Sequence, residues 1–358
     1  MKLITFTVPC YNSAEYMRKC IDSILVGGDD VEILIVDDGS TDDTAVIADE
    51  YGEKYPDVIR VIHKQNGGHG SAINTGIENA TGLYFKVVDS DDWVDEASLK
   101  KVIETVKNQV ETGVECDLII TNFVYTRPST DSEFVFNYER KIKLEQITDF
   151  SEMKKFHFSK MFLMHSLMYK HKLLVDCGIR LPEHTFYVDE IFAYKPLPYV
   201  KKLYYIDTDL YRYFIGRADQ SVTQKNMFAR YRQQMRVMRE MIDAYSYDEI
   251  KAQSKGLRKY MFHALTVILL CTIYFIINGD KKERKPALEE VWQHIKERDI
   301  KLYRKLRHRS YATLINYMPW GLRKFIVDKS YSIVCRRLFL GVDDKDFLKQ
   351  AKQKRKAQ

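Results

Sequence analysis

The chain opens with short apolar runs that alternate with amphipathic stretches. Residues 3–8 (LITFTV) form a continuous apolar run closed by Pro9, the pattern of a buried strand. A helical pattern follows, with Tyr16, Cys20, Ile21, Ile24 and Leu25 on one face, and Gly27 and Gly28 end it. Residues 31–36 (VEILIV) predict a second strand that runs into Asp37-Asp38-Gly39-Ser40-Thr41-Asp42. Thr41 or Asp42 is placed to cap a helix over residues 43–55. Residues 58–63 predict a third strand, QNGGHG a glycine-rich loop, 70–79 a helix and 83–88 (LYFKVV) a fourth strand. This alternation argues for a mostly parallel sheet with helices on both faces. Ligands in such sheets bind beyond the carboxyl ends of the strands. The segments PCYN, DDGSTD and DSDD all fall there.

The fourth strand runs straight into Asp89, Asp91 and Asp92. Like charges a few ångströms apart repel by ~1 to 4 kcal/mol at surface-like dielectric, and a divalent cation reverses that sign. Hard oxygen ligands favour Mg²⁺ or Mn²⁺ over zinc. The competing reading is a solvated acidic turn, with Asp92 capping a helix that starts near Trp93. Two nucleotide folds fail on placement. The turn after the first strand is VPCYNS rather than GxGxxG, and GxxxxGK[ST] is absent.

The stretches TVPCYNSAEYMRKCIDSIL, VDDGSTDDT, NGGHGSAINTGI and VDSDDW, in that order, resemble the family 2 glycosyltransferases, which have the GT-A nucleotide-sugar fold. The resemblance covers about residues 1–220 and specifies fold and reaction type rather than the sugar. It implies that Asp38 accepts the base N–H of the donor nucleotide, with Pro9 and Tyr11 alongside. It implies that Asp91 ligates a metal on the diphosphate, and that Asp89 reaches the ribose or joins the metal site. Asn74 is carried over as a donor contact. The basic residue that often precedes it in the family is Ile73 here, so a diphosphate contact from this helix is in doubt. His69 reads as a loop surface residue.

Inverting transfer needs a base for the acceptor hydroxyl and stabilisation of the leaving diphosphate. In Val188-Asp189-Glu190-Ile191-Phe192, Asp189 matches the family's catalytic base, with Glu190 second. Partial burial there would lift a carboxylate pKa toward usefulness. The alternative is that both acids only favour a helix N-terminus. Arg212 or Arg217, in the YRYF…GR stretch, is carried over as a diphosphate contact. Segment 116–126 predicts a further strand, 131–150 a hairpin, and the Met- and Phe-rich 156–170 core.

These readings give an α/β GT-A domain over 1–222, with a nucleotide-sugar and metal half (1–115) and an acceptor half (116–222). A helical region over 223–358 follows. That region changes the charge picture. Residues 281–358 hold 22 Lys or Arg against 9 Asp or Glu, an excess of 13 positive charges in a chain of net +6. A basic tail behind an acidic domain predicts a polyanionic partner such as anionic lipid. No nucleic-acid-binding signature appears, so nucleic acid is not expected. Residues 260–277 form an apolar run of 18, read as a buried or membrane-surface helix rather than a crossing. Residues 323–341 mix basic and apolar positions. They fit an interfacial helix, or one packed on the catalytic domain or on a second copy in a homo-oligomer. Six scattered cysteines without a CxxC pair fit free thiols, and residues 1–10 read as a strand rather than a leader.

The expected activity is therefore transfer of a sugar, UDP-linked in the first instance, to a hydroxyl of a glycan or lipid-linked glycan. The expected place is the cytoplasmic face of the plasma membrane, in cell-surface polysaccharide synthesis. A nucleotidyltransferase would need a basic glycine-rich loop after the first strand. A non-catalytic scaffold would have no reason to keep Asp91 and Asp189.

Overall fold

The apolar runs at the start of the chain become the centre of an eight-stranded sheet. A computed structural model describes residues 2–127, 131–157, 160–216, 224–310 and 312–338. Its strands are β1 (Ile4–Cys10), β2 (Val31–Asp37), β3 (Ile59–His63), β4 (Tyr84–Val87), β5 (Trp93–Val94), β6 (Leu118–Ile120), β7 (Phe123–Arg127), β8 (Ser132–Phe136), β9 (Ile147–Thr148), β10 (Leu167–Lys170), β11 (Leu203–Tyr205) and β12 (Tyr211–Phe214). The large sheet runs β3-β2-β1-β4-β10-β6-β11-β9. β3, β2, β1 and β4 are mutually parallel, and β10 enters antiparallel between β4 and β6. Every residue of β1 and β2 is buried, as expected of strands covered on both faces. A smaller sheet holds β12 between β5, to which it is antiparallel, and β7, to which it is parallel.

The helices of this region are α1 (Met17–Leu25), α2 (Thr44–Lys54), α3 (His69–Asn79), α4 (Glu96–Glu111), α5 (His171–Asp176) and α6 (Asp189–Tyr194). α1 buries Met17, Cys20, Ile21 and Ile24, close to the expected face. Two local expectations are corrected. Trp93 lies in β5 rather than opening a helix, and the N-cap is Asp95, whose carboxylate accepts from the Ser98 N–H before α4. Segment 116–126 is two short strands, β6 and β7, separated by Thr121 and Asn122.

The chain divides into two units, 1–126 with 135–154 and 162–214, and 127–134 with 155–161 and 215–358. Two short segments, 127–134 and 155–161, thus belong to the second unit. That unit is helical after residue 223: α7 (Gln224–Ala229), α8 (Tyr231–Ala244), α9 (Tyr247–Ala252), α10 (Lys255–Asn278), α11 (Arg284–Arg298), α12 (Ile300–His308), α13 (Ala312–Tyr317) and α14 (Trp320–Leu338). α10 carries the apolar run. Among the described residues it is the one helix long and apolar enough to cross a membrane, yet 72% of its apolar window is buried inside the protein. It packs against α7, α8, α9, α11, α13 and α14 and is the core of its unit. Arg217 and the last 20 residues lie outside the described residues.

Candidate active site

Three loops at the carboxyl ends of β1, β2 and β4 are stitched together by side chains that the motifs supply. Asn12, at φ 50°, accepts from the Thr41 N–H at 2.8 Å, and its own N–H donates to Ser40 Oγ at 3.0 Å. The Ser13 N–H donates to Thr44 Oγ1 at 2.7 Å. The hydroxyls of Ser13 and Ser90 hydrogen-bond at 2.7 Å, tying PCYNS to DSDD. The motif residues therefore explain one another. Pro9 is buried in β1 opposite Val36, and Tyr11 is 53% exposed at the loop tip.

Asp38 is buried and fixes the glycine-rich loop. Its carboxylate accepts from Lys64 Nζ at 2.7 Å and from the N–H groups of Gly67 (3.0 Å) and Gly68 (2.7 Å). A carboxylate so placed satisfies backbone donors that would otherwise be costly to bury. The loop glycines have a packing reason. A Cβ on Gly70 would sit 2.6 Å from the Pro182 carbonyl oxygen, and one on Gly68, at φ +85°, would sit 3.1 Å from the His184 backbone. The segment before Asp189 thus runs in backbone contact with the start of α3. Asn74 holds the same segment, since its amide donates to Leu181 O and accepts from Leu181 N, both at 2.9 Å. Both polar atoms of the Asn74 amide are thus engaged by the Leu181 backbone, on the segment that leads to Asp189.

The acid cluster lies beyond β4. The ligand-capable atoms of Asp89, Asp92 and His165 all lie within 4.8 Å of one another. Asp89 Oδ1 is 2.8 Å from His69 Nε2, and its Oδ2 is 3.8 Å from His165 Nε2. Burial alone would raise the Asp89 carboxyl, but the His69 and His165 imidazoles hold it well below the ordinary carboxylate range. Asp92 accepts from the Tyr211 hydroxyl at 2.5 Å and from the Phe214 N–H at 2.7 Å. Burial, then the charges of Asp91 and Asp89, push its carboxyl well up. Asp91 is half-buried in the same turn and stands outside the three-residue group. Beneath the cluster Lys86 is fully buried, donating to the His165 carbonyl at 2.7 Å, and burial pushes its ammonium down to about 7.

Asp189 opens α6 within electrostatic reach of this cluster. Burial raises its carboxyl, opposed by His165 and His69 and reinforced by Asp89. Burial, then Asp189, push Glu190 well up, and its Oε2 is buried without a hydrogen-bond partner among the described residues. Two non-glycine residues with left-handed backbone precede α6, His184 (φ 48°) and Tyr187 (φ 64°). Such conformations persist only where the surroundings enforce them.

Alternation along β12 sorts the remaining residues. The rings of Tyr211 and Tyr213 meet His165 edge-on at 4.8 and 4.9 Å, on the face of the acid cluster. Arg212 lies between them on the other face and pairs with Asp95 at 3.5 Å. Arg212 is thus paired with the carboxylate that caps α4, and tyrosines lie beside the cluster. His69, expected at the loop surface, instead starts α3 against Asp89. His165, Tyr211, Tyr213 and Lys86 were not singled out from sequence. The period-two position of Tyr211 and Tyr213 was the one signal available for two of them.

Residues 5–170 match the family model for glycosyl transferase family 2. Among curated relatives, EpsH of Bacillus subtilis, classed by name with the glycosyltransferases, is 31% identical over 219 residues, covering 59% of this chain and 60% of that protein. Glycosyltransferase GlyA of Streptococcus pneumoniae is 30% identical over 237 residues, covering 61% of this chain and 31% of that protein. The chain thus spans less than two thirds of these relatives. Among solved structures, S. aureus TarS 1-349 in complex with UDP-GlcNAc superposes with a TM-score of 0.62 at 19% identity, covering 93% of this chain and 92% of that one. At that identity the likeness is one of fold. Over residues 5–170 the chain is thus similar to glycosyltransferase family 2, and its architecture is that of the GT-A fold.

Proposed function

We propose that the protein is an inverting glycosyltransferase that moves a sugar from a UDP-linked donor to a hydroxyl of a glycan or lipid-linked glycan in cell-surface polysaccharide synthesis. The observation that carries this reading is the convergence at one sheet end of an ionised Asp89, the half-buried Asp91 and an Asp189 whose carboxyl is raised. The relatives named glycosyltransferases and the UDP-GlcNAc complex of TarS support a nucleotide-sugar donor.

Tyr11 presents an exposed ring where a base would stack, beside the loop that Asp38 holds. Asp189 takes the proton of the acceptor hydroxyl as that oxygen attacks the anomeric carbon. The bond from that carbon to the donor phosphate oxygen breaks on the opposite face, and its electron pair leaves with the nucleoside diphosphate. The donor set fits a hard divalent cation such as Mn²⁺ or Mg²⁺. It consists of carboxylates that repel one another plus one imidazole, and burial with the charges of Asp91 and Asp89 pushes the Asp92 carboxyl well up. Asp89, with Asp91 of the same turn, would hold the ion, and the ligand-capable atoms of Asp92 and His165 lie within 4.8 Å of that of Asp89. When bound, the ion supplies charge stabilisation for the leaving diphosphate. Asn74 acts by holding the Asp189 segment.

The same reading puts the protein at the cytoplasmic face of the plasma membrane. The basic excess of residues 281–358 and the exposed Leu322 and Phe325 on α14 support it. Fractionation of the full chain tests this part, and recovery wholly in the supernatant at low salt contradicts it. The transfer reaction is tested by release of UDP from a panel of UDP-sugars, with Asp189→Asn as the control. Turnover equal in the two proteins contradicts the assignment of the base.

A further inference from the structure

The helical unit contains a second assembled site, opposite in charge to the first. Residues of α11, α12, α13 and α14 enclose a cleft of about 870 Å³. Arg307 lies 4.8 Å from the Trp292 ring and 5.8 Å from that of Tyr303. Arg323 and Lys285 lie 5.3 and 5.9 Å from the Trp320 ring. Arg323 donates Nε–H to Met318 O at 2.8 Å and Nη2–H to Asn316 O at 2.7 Å, which fixes its plane. A guanidinium has five N–H groups, so three stay without an acceptor among the described residues.

The charge is not balanced from within. Two carboxylates border the cleft. Glu290 is engaged by Arg232, at 3.0 Å, and by Arg239, both of α8. Glu289 stands exposed at the rim. Both guanidiniums line the cleft, and burial, then the charge of Arg307, lower the Arg323 pKa. Aromatic faces hold both arginines in place, so little side-chain entropy is lost when an anion arrives.

We propose that this cleft binds a phosphate or diphosphate group, seated between Arg307 and Arg323 with Lys285 and Lys296 at the rim. The planar fork of arginine matches paired phosphate oxygens. The group belongs either to a soluble phosphorylated saccharide or to the headgroup of an isoprenoid lipid. Leu322 and Phe325, 51% and 62% exposed, leave apolar surface on α14, the helix that carries Arg323. The site lies wholly in the helical unit and does not depend on the reaction proposed for the catalytic one.

Two of the chain's three tryptophans line the cleft, so their fluorescence reports on it. The full chain is titrated in EDTA, which removes metal from the acid cluster, with inorganic pyrophosphate and with farnesyl diphosphate. The expected result is a saturable change that weakens about tenfold or more in Arg307→Gln, is partly restored in Arg307→Lys, and is unaltered in Asp91→Ala. Tighter binding of farnesyl diphosphate assigns the group to a lipid headgroup, and equal binding assigns it to a soluble phosphate. If Arg307→Gln does not fold, the exposed pair Lys285→Gln and Lys296→Gln serves, with about a threefold or greater loss expected. No saturable change with either probe overturns the proposal. So does affinity unchanged in every cleft variant that folds.

Discussion

The two units solve opposite electrostatic problems. At the sheet end, carboxylates are gathered and partly buried, and their charges are managed by His69, His165 and Tyr211. In the helical unit, an apolar helix supplies the core, and two arginines of the cleft, Arg307 and Arg323, lie over tryptophan faces. The first arrangement suits a divalent cation and an anionic leaving group. The second suits an anion alone. The difference also governs what single changes should do, since the sheet end stores function in position and charge while the helical unit stores stability in packing.

The largest expected effect separates the two. Asp189→Asn should lower the transfer rate by about 10²- to 10⁴-fold while UDP affinity stays within about twofold. Because burial raises the Asp189 carboxyl, the wild-type rate should fall as pH drops through a value above the ordinary aspartate range. Asp89, held low, stays ionised throughout. An acid limb at the ordinary aspartate pKa would remove the burial argument.

Leu269→Ala comes next. Leu269 is fully buried in α10, and its truncation should cost about 2–5 kcal/mol in denaturant unfolding. The comparison predicts that UDP binding survives under native conditions. Loss of binding with the fold still intact would mean that the two units do not divide their roles this way.

Asn74→Ala leaves a buried backbone N–H and C=O of Leu181 without partners, for about 1–3 kcal/mol of stability. Since Leu181 leads to the base, turnover should fall more than donor affinity. Equal losses in both would return Asn74 to a direct donor contact.

A smaller, pH-dependent effect belongs to Lys86. Its folded pKa of about 7 lies below the ordinary value of 10.5, so between those values the unfolded chain binds more protons. Stability should therefore rise with pH from about 7 toward 9.5, before tyrosines titrate, and Lys86→Met should flatten that rise. Thermal melts across this range check it, and identical slopes for the two proteins would show that Lys86 keeps its charge.

What could be read from sequence follows from where partners lie along the chain. PCYNS, DDGSTD and DSDD were legible because each is a short loop, and their mutual hydrogen bonds use the residue types that mark them. The four parallel strands β1 to β4 followed from their apolar runs, while their order in the sheet did not. His165 was not legible, because it lies 76 residues beyond Asp89 and is brought to it by β10, the antiparallel strand that follows it. Tyr213 and Arg212 differ by one position, and only the register of β12 against β5 and β7 says which faces the acids. The role of Asn74 turned on a backbone 107 residues away. The cleft in the helical unit draws on four helices with no linear motif, and composition showed only its basic excess.

The most direct test of the central claim is calorimetric titration of UDP into the wild type and Asp91→Ala, each with and without Mn²⁺. UDP binding that requires Mn²⁺ and is lost in Asp91→Ala is the predicted result. Failure of UDP and every other nucleoside diphosphate to bind the wild type with Mn²⁺ present would contradict the donor site, and with it the transferase reading.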